Sequence, residues 1–355
     1  MTRQLEARGL TVRFGSGSGF LARVRGRPAP MLTAVDGVDI DIGRGDSVGI
    51  VGESGCGKST LARALIGLVP SSGSIEFEGS PLVGRRDRTT IRKIQMVFQD
   101  PSSSLNPTRT VGQTLTELLR VHEMVPADRI RDRAAELLEL VDLPPSLLAA
   151  YPRRLSGGQR QRVGIARALA LEPAILIADE AVSALDVSIQ ASVLNLLARL
   201  RRELNLTLVF ISHDLAVVRY ISDRVLVMYL GRIVEDRPTQ DLFTDPRHPY
   251  TAALMAAAPR LDARKEPGAQ ALPGEPPGLL VVPSGCRFHP RCPIARQVCR
   301  EIEPELTGPS RGQRAACHFA WQAVAGPTSD GDTGPGPGRT LDAPTRQALG
   351  VEGLE

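Results

Sequence analysis

The chain has 355 residues, enough for two or three domains and a sizeable core. Hydrophobic residues make up 42% and charged residues 23%, which argues against wholesale disorder and against a fibrous protein. The net charge of +4 is too balanced for a nucleic-acid footprint, and 4% aromatic residues leave few platforms for stacking single strands. No apolar run approaches the ~20 residues that cross a bilayer, and the opening MTRQLEARGL lacks the apolar stretch of a signal peptide. The expectation is a cytosolic chain unless a partner holds it at a membrane.

In chain order, residues 1–14 read as a strand, with Leu10, Val12 and Phe14 alternating with polar neighbours. Residues 15–30, rich in Gly, Ser, Arg and Pro, read as a basic loop. Alternation returns over 34–42, and the apolar run 48–51 reads as a buried strand. A Gly-rich loop and a helix over about 58–68 follow, then strands at 75–77 and 95–98. Residues 112–142 and 160–171 have helical apolar spacing. Beyond them come a buried strand at 175–178, a helix at 188–204, and strands at 206–211 and 224–228. This alternation predicts an α/β fold with a mainly parallel sheet, carrying a helical insert over about 100–172. Residues 259–283 read as a Pro/Gly-rich linker, 285–320 hold a cysteine cluster, and 326–355 read as a disordered tail.

Gly52-Glu53-Ser54-Gly55-Cys56-Gly57-Lys58-Ser59 fits the phosphate-binding pattern G-x-x-x-x-G-K-[ST], and Thr60 follows. The glycines let backbone N–H groups turn toward phosphate oxygens, Lys58 supplies a charge, and Ser59 offers a hydroxyl to Mg²⁺. The helix after it presents its N-terminus to the anion. Residues 174–180, AILIADE, supply an apolar strand ending in Asp179, suited to Mg²⁺, and Glu180, suited to polarising water.

Leu155-Ser156-Gly157-Gly158-Gln159 is the signature of ATP-binding cassette proteins, and the chain resembles that family over about 5–250. Gln99 after QMVF matches its Q-loop, Ser183-Ala184-Leu185-Asp186 its D-loop, and His213 after LTLVFIS its switch histidine; Phe14 stands where the family stacks an aromatic on adenine. GESGCGKST, VFQDPSSSLNP, ISHDLAVVRYISDRV and RHPYTAAL further resemble the ATPase subunits of dipeptide/oligopeptide importers, the second such subunit more than the first. One departure is Ala181, where the family usually has Pro.

The resemblance implies a P-loop NTPase cassette with a RecA-like core and an N-terminal antiparallel β layer over residues 1–240, and a small Cys-rich extension over 241–325. It implies ATP with Mg²⁺ held through Ser59, Gln99 and Asp179, and catalysis by Glu180, Gln99 and His213. It also implies a head-to-tail dimer in which Ser156, Gly157, Gly158, Gln159 and Asp186 meet the partner's ATP. Partners would be a second, homologous ATPase, two transmembrane permeases on whose cytoplasmic face the chain sits, and indirectly an extracytoplasmic substrate-binding protein; no nucleic acid is expected. Cys56, inside the loop, is expected to react with thiol reagents and to be protected by ATP.

Cys286, Cys292, Cys299 and Cys317 form a set of four thiols, a donor set for zinc or an iron–sulfur cluster. Their gaps are wider than those of a zinc ribbon and match no ferredoxin spacing. The peptide-importer resemblance favours [4Fe–4S] over zinc or no metal, with His289 and His318 as possible substitute ligands. The rivals are another cargo, such as nickel, and a non-transport clamp on nucleic acid or ribosomes. Residues 60–154 leave no room for the long coiled coil of chromosome-maintenance relatives, and the chain carries one cassette rather than two.

Overall fold

The computed structural model describes residues 3–15, 31–82, 87–99, 105–257, 278, 282–310 and 312–321. The predicted tail over 326–355, the basic loop and most of the predicted linker lie outside them.

Two sheets organise the chain. The first is antiparallel: β1 (Arg3–Gly15) lies between β2 (Met31–Gly43) and β4 (Ser72–Phe77), with β5 (Ser80–Pro81) at the edge. The second contains β3 (Ser47–Val51), β6 (Ile94–Val97), β7 (Ile175–Asp179), β8 (Thr207–Ile211), β9 (Arg224–Tyr229), β10 (Arg232–Pro238), β11 (Thr307–Ser310) and β12 (Gln313–Ala315). Its order is β11-β12-β10-β9-β3-β8-β7-β6. The run from β9 to β6 is parallel, and β10, β12 and β11 extend it antiparallel.

The parallel strands read as unbroken apolar runs because both of their faces are covered. Val48 and Ile50, Ile175 and Ile177, Val209 and Ile211 point into one core, shared with β1, β2, β4 and helix α1 (Lys58–Leu65). Val51, Leu176, Ala178, Leu208 and Phe210 point into the other, to which all of the remaining helices but the first and the last contribute. These begin with α2 (Arg88–Lys93), α3 (Val111–Val121), α4 (Ile130–Leu140) and α5 (Gly157–Leu169). They continue with α6 (Val187–Leu204), α7 (Leu215–Ile221), α8 (Thr239–Thr244), α9 (Pro249–Ala257) and α10 (Gln297–Glu301).

The expected helical insert is present as α3, α4 and α5 with short 3₁₀ turns between them; Leu115, Leu119, Ala134, Leu137 and Leu138 form its buried seam. Helix α1 stops at Leu65 rather than 68, because Gly67 turns with φ +76°. The predicted boundary at 240 is crossed by pairing: β12 joins β10 in register Glu235↔Ala315, so strands beyond the boundary extend the cassette's own sheet.

Candidate functional site at the carboxyl edge of the parallel sheet

Strand register assembles the site. Ile50 of β3 lies beside Ile211 of β8, Ile211 beside Asp179 of β7, and Ala178 beside Val97 of β6. Four parallel strands therefore end together, and the loops leaving them carry Gly52–Ser59, His213, Asp179–Glu180 and Gln99. In open α/β sheets this carboxyl edge is where ligands bind.

The phosphate loop hangs between two backbone carbonyls. A Cβ on Gly52 would lie 2.2 Å from the Met228 oxygen, and one on Gly57 2.1 Å from the Ala34 oxygen. Gly57, at φ +110°, precedes α1 without a side-chain cap, so the first-turn N–H groups of that helix are left to a ligand. Lys58 is buried, and its Nζ donates to the carbonyls of Gly52 (2.8 Å) and Glu53 (2.9 Å). Ser54 and Gly55 are exposed at the tip, while Ser59 and Thr60 sit half-buried in the first turn.

Ser59 Oγ donates to Asp179 Oδ1 at 2.8 Å, so the hydroxyl and carboxylate expected to share Mg²⁺ already touch. Both are hard oxygen donors of the kind that ion takes. Burial raises the Asp179 pKa, opposed by the Ser59 hydrogen bond. Glu180 follows in the left-handed region at φ +47°, a strained conformation for a residue with a side chain. Its N–H donates to the Ile211 carbonyl at 2.9 Å, and Ser183 N and Oγ both donate to its own carbonyl. Thus held, its carboxylate faces Gln99 Nε2 at 2.6 Å and His213 Nδ1 at 3.4 Å. The three residues predicted to be catalytic form one contact cluster.

Phe14 stands at the end of β1, opposite Leu32 and 39% exposed, available as a platform. Cys56 differs from expectation. Its backbone belongs to the loop, but its side chain is 3% exposed in the core beneath it, and burial pushes its thiol pKa up. The thiol does not line the outer face of the cradle.

The signature residues use their polar groups locally. Ser156 Oγ accepts from Gln159 N at 3.2 Å and Gln159 Oε1 accepts from Ser156 N at 3.0 Å, a capping box that starts α5. Gly158 is packed so that a Cβ would lie 2.5 Å from Ile189 of α6. Asp186 is exposed at the start of α6, and its side chain makes no cap bond.

Cys286, Cys292, Cys299 and Cys317 line one small cavity with His248, His289 and His318. All are free thiols, and burial raises the pKa of Cys286 to about 11. The donor set suits a thiolate-bound group in kind. Among the described residues, no three His, Cys, Asp or Glu side chains converge closely enough to hold an ion.

Sequence reasoning missed Arg291 and Tyr250. Arg291, 7% exposed, forks onto both Glu53 oxygens at 2.9 and 3.0 Å, and the Tyr250 hydroxyl accepts from Glu53 N at 2.8 Å. The available signal was an Arg beside Cys292 and a Tyr in RHPYTAAL, but neither residue type names its partner across some 200 residues.

Residues 35–183 match the ABC transporter family and 234–299 match the C-terminal region of oligopeptide/dipeptide transporters. The oligopeptide transport ATP-binding protein OppF of Escherichia coli is 50% identical over 292 residues, covering 80% of this chain and 87% of OppF. The oligopeptide transport ATP-binding protein AppF of Bacillus subtilis is 48% identical over 295 residues, covering 81% and 90%. Among solved structures, the dimeric ATP-binding cassette MJ0796 in a post-hydrolysis state with ADP and Pi aligns at TM-score 0.56 and 29% identity, covering 64% of this chain and 96% of that one. The chain belongs to the ABC transporter ATPases, and within them to the oligopeptide/dipeptide transporter ATP-binding proteins.

Proposed function

We propose that the chain binds and hydrolyses Mg-ATP as the ATPase subunit of an importer of di- and oligopeptides. The observation that carries this is the meeting of Gln99, Glu180 and His213 beside a phosphate loop with an uncapped helix start. The relatives' peptide transport supplies the cargo. No helix among the described residues is long and apolar enough to cross a membrane, consistent with a subunit held at the cytoplasmic face by partners.

On this reading the loop N–H groups and Lys58 cradle the β- and γ-phosphates, and Phe14 stacks on the adenine. Ser59 and Asp179, with Gln99, would hold Mg²⁺, which neutralises phosphate charge when bound. Glu180 accepts a proton from the attacking water or orients it. His213 stands against the same carboxylate and would contact the γ-phosphate. Ser156, Gly157, Gly158, Gln159 and Asp186 meet the ATP held by a second, homologous ATPase, as the exposure of Ser156 and Asp186 permits.

The groove lined by Leu68, Ile91, Met96 and Phe98 runs beside Gln99, with Leu68 and Ile91 exposed. It is the surface for a cytoplasmic segment of a permease, coupling nucleotide state to transport. An extracytoplasmic binding protein would deliver the peptide.

The four thiols would hold a [4Fe–4S] cluster, with zinc as the second reading, only by drawing closer together than they stand here; their lining of one small cavity is what supports the reading. Such a group would clamp a short extension that has little core of its own. Iron and acid-labile sulfide in anaerobically purified protein test it, and zinc without sulfide refutes the cluster.

Glu180→Gln tests the central reading. Loss of a general base costs ~10²–10⁴-fold in rate. The variant should retain Mg-ATP while hydrolysis in the assembled complex falls at least ~100-fold. Unchanged steady-state hydrolysis would overturn the role of Glu180. Pulled from native membranes with Mg-ATP, it should bring two polytopic permeases and a second cassette ATPase; soluble chromosomal or ribosomal partners would overturn transport.

A further inference from the structure

The second residue of the phosphate loop, Glu53, has every polar group engaged, and the decisive partners come from the C-terminal extension. Both carboxylate oxygens take the Arg291 fork, and its N–H donates to the Tyr250 hydroxyl. Its carbonyl accepts from Lys58 Nζ at 2.9 Å and from Cys56 N at 3.3 Å. The position of Glu53 therefore sets where the Lys58 ammonium rests.

The brace is itself rigid. Arg291 ends a 3₁₀ turn (His289–Arg291) flanked by Cys286 and Cys292, in which Arg291 N donates to the Phe288 carbonyl. Phe288, Tyr229 and Tyr250 are each about 1% exposed or less and pack with ring centroids 4.5–5.5 Å apart. A planar guanidinium gripping both oxygens of one carboxylate fixes orientation as well as distance, which an ammonium does not.

We propose that Arg291 and Tyr250 are positioning residues for nucleotide binding: from the extension they hold Glu53, and through it the phosphate loop and Lys58, in the shape that binds phosphate. The extension thereby sets nucleotide affinity without touching nucleotide. The proposal rests on the reading of residues 52–60 as the ATP site.

The test is equilibrium binding of a fluorescent ATP analogue to full-length wild type, Arg291→Met, Arg291→Lys, Tyr250→Phe and Glu53→Gln, with thermal unfolding of each. Arg291→Met should bind about tenfold more weakly, and Tyr250→Phe about threefold. Arg291→Lys should recover part of the loss. The double variant Glu53→Gln/Arg291→Met should bind no more weakly than Arg291→Met alone, because both act through one contact. In steady state the loss should fall on KM, with kcat at saturation within about twofold. Tyr250→Phe keeps the rings and removes one hydroxyl, so it remains informative where Arg291→Met unfolds. Wild-type affinity in Tyr250→Phe and in folded Arg291→Met, or additive losses in the double variant, would overturn the proposal. Wild type that binds no nucleotide would overturn the ATP site itself, and this proposal with it.

Discussion

Gly57→Ala, compared with Gly55→Ala, measures how firmly the phosphate loop is pre-shaped. Both glycines have positive φ, +110° and +79°, so both alanines pay ~1–2 kcal/mol for a left-handed conformation. They differ in surroundings. The new Cβ at Gly55 meets nothing within 4 Å, whereas that at Gly57 lies 2.1 Å from the Ala34 carbonyl oxygen and 2.9 Å from Met228 Cε. The Met228 methyl can swing away. The Ala34 oxygen belongs to β2, whose core side chains are fully packed, so strand or loop must shift at an overpacking cost of ~1–3 kcal/mol. Gly57→Ala should therefore lose about 2–5 kcal/mol and Gly55→Ala about 1–2 kcal/mol. At roughly 2–4 °C per kcal/mol for a chain of this order of size, the nucleotide-free variants should melt about 5 °C apart. Amide exchange across 52–60 reads the same difference locally, should the loop yield before the fold does. Equal melting points together with equal loop protection would refute the claim that the Ala34 carbonyl holds the loop.

Three further outcomes follow from the same geometry. Asp179→Asn should raise the melting temperature of the nucleotide-free protein, because burial disfavours the carboxylate, and abolish Mg²⁺-dependent hydrolysis; a lower melting temperature would contradict that account. His248, fully buried, has its pKa driven down by burial to about 3 while the unfolded chain protonates near 6.5. Between those values the unfolded state binds the extra proton, so stability falls as pH falls, by about 1 kcal/mol from pH 6.5 to 5.5. Urea unfolding at both pH values should show this, with a smaller change in His248→Asn. Finally, mass spectrometry of alkylated protein should find Cys56 modified only under unfolding conditions, with or without ATP; rapid labelling in the folded state would place the thiol in the cradle after all.

The sequence revealed most where one physical demand dominates. Strands covered on both faces must be apolar throughout, so β3, β7 and β8 stood out, and a phosphate cradle needs glycines before a helix, so residues 52–59 did too. β10 was hidden by its charges. Glu235, Asp236 and Arg237 are residue types found mostly at the surface, yet all are buried. Glu235 accepts from the N–H groups of Arg247 and His248 at 2.8 and 2.9 Å, and Asp236 accepts from Arg314. Those partners lie 12 to 78 residues away, and no local pattern announces that a charge has been satisfied at such range. Arg291 escaped notice for the same reason. Helix α7 has seven residues, too short for periodicity, and only Asp214, accepting from Ala216 N and Val217 N, marks its start.

Several of the side chains assigned to ATP are bonded to other groups of the protein, while the first-turn N–H groups of α1 are not capped by a side chain. Lys58 rests on the Gly52 and Glu53 carbonyls, Ser59 on Asp179, Gln99 on Glu180, and Ser156 and Gln159 on each other. At these side chains binding exchanges hydrogen bonds rather than creating them, and an exchanged bond contributes only the difference between partners, about 1 kcal/mol in ordinary cases. Charge-assisted contacts to phosphate are stronger, and they bias the exchange toward the nucleotide. The Glu180 carboxylate, proposed above as the base, is the group most affected by this arrangement. While Gln99 donates to Glu180 at 2.6 Å, one carboxylate oxygen is occupied and less free to receive a proton from water. Drawing Gln99 away toward Mg²⁺ would release that oxygen as the phosphates arrive. On the proposed reading the carboxylate is thus restrained until substrate is present, and Gln99→Ala, which removes the restraint together with the Mg²⁺ contact, should raise futile turnover relative to transport. Proportional loss of hydrolysis and transport in that variant would show that Gln99 restrains nothing.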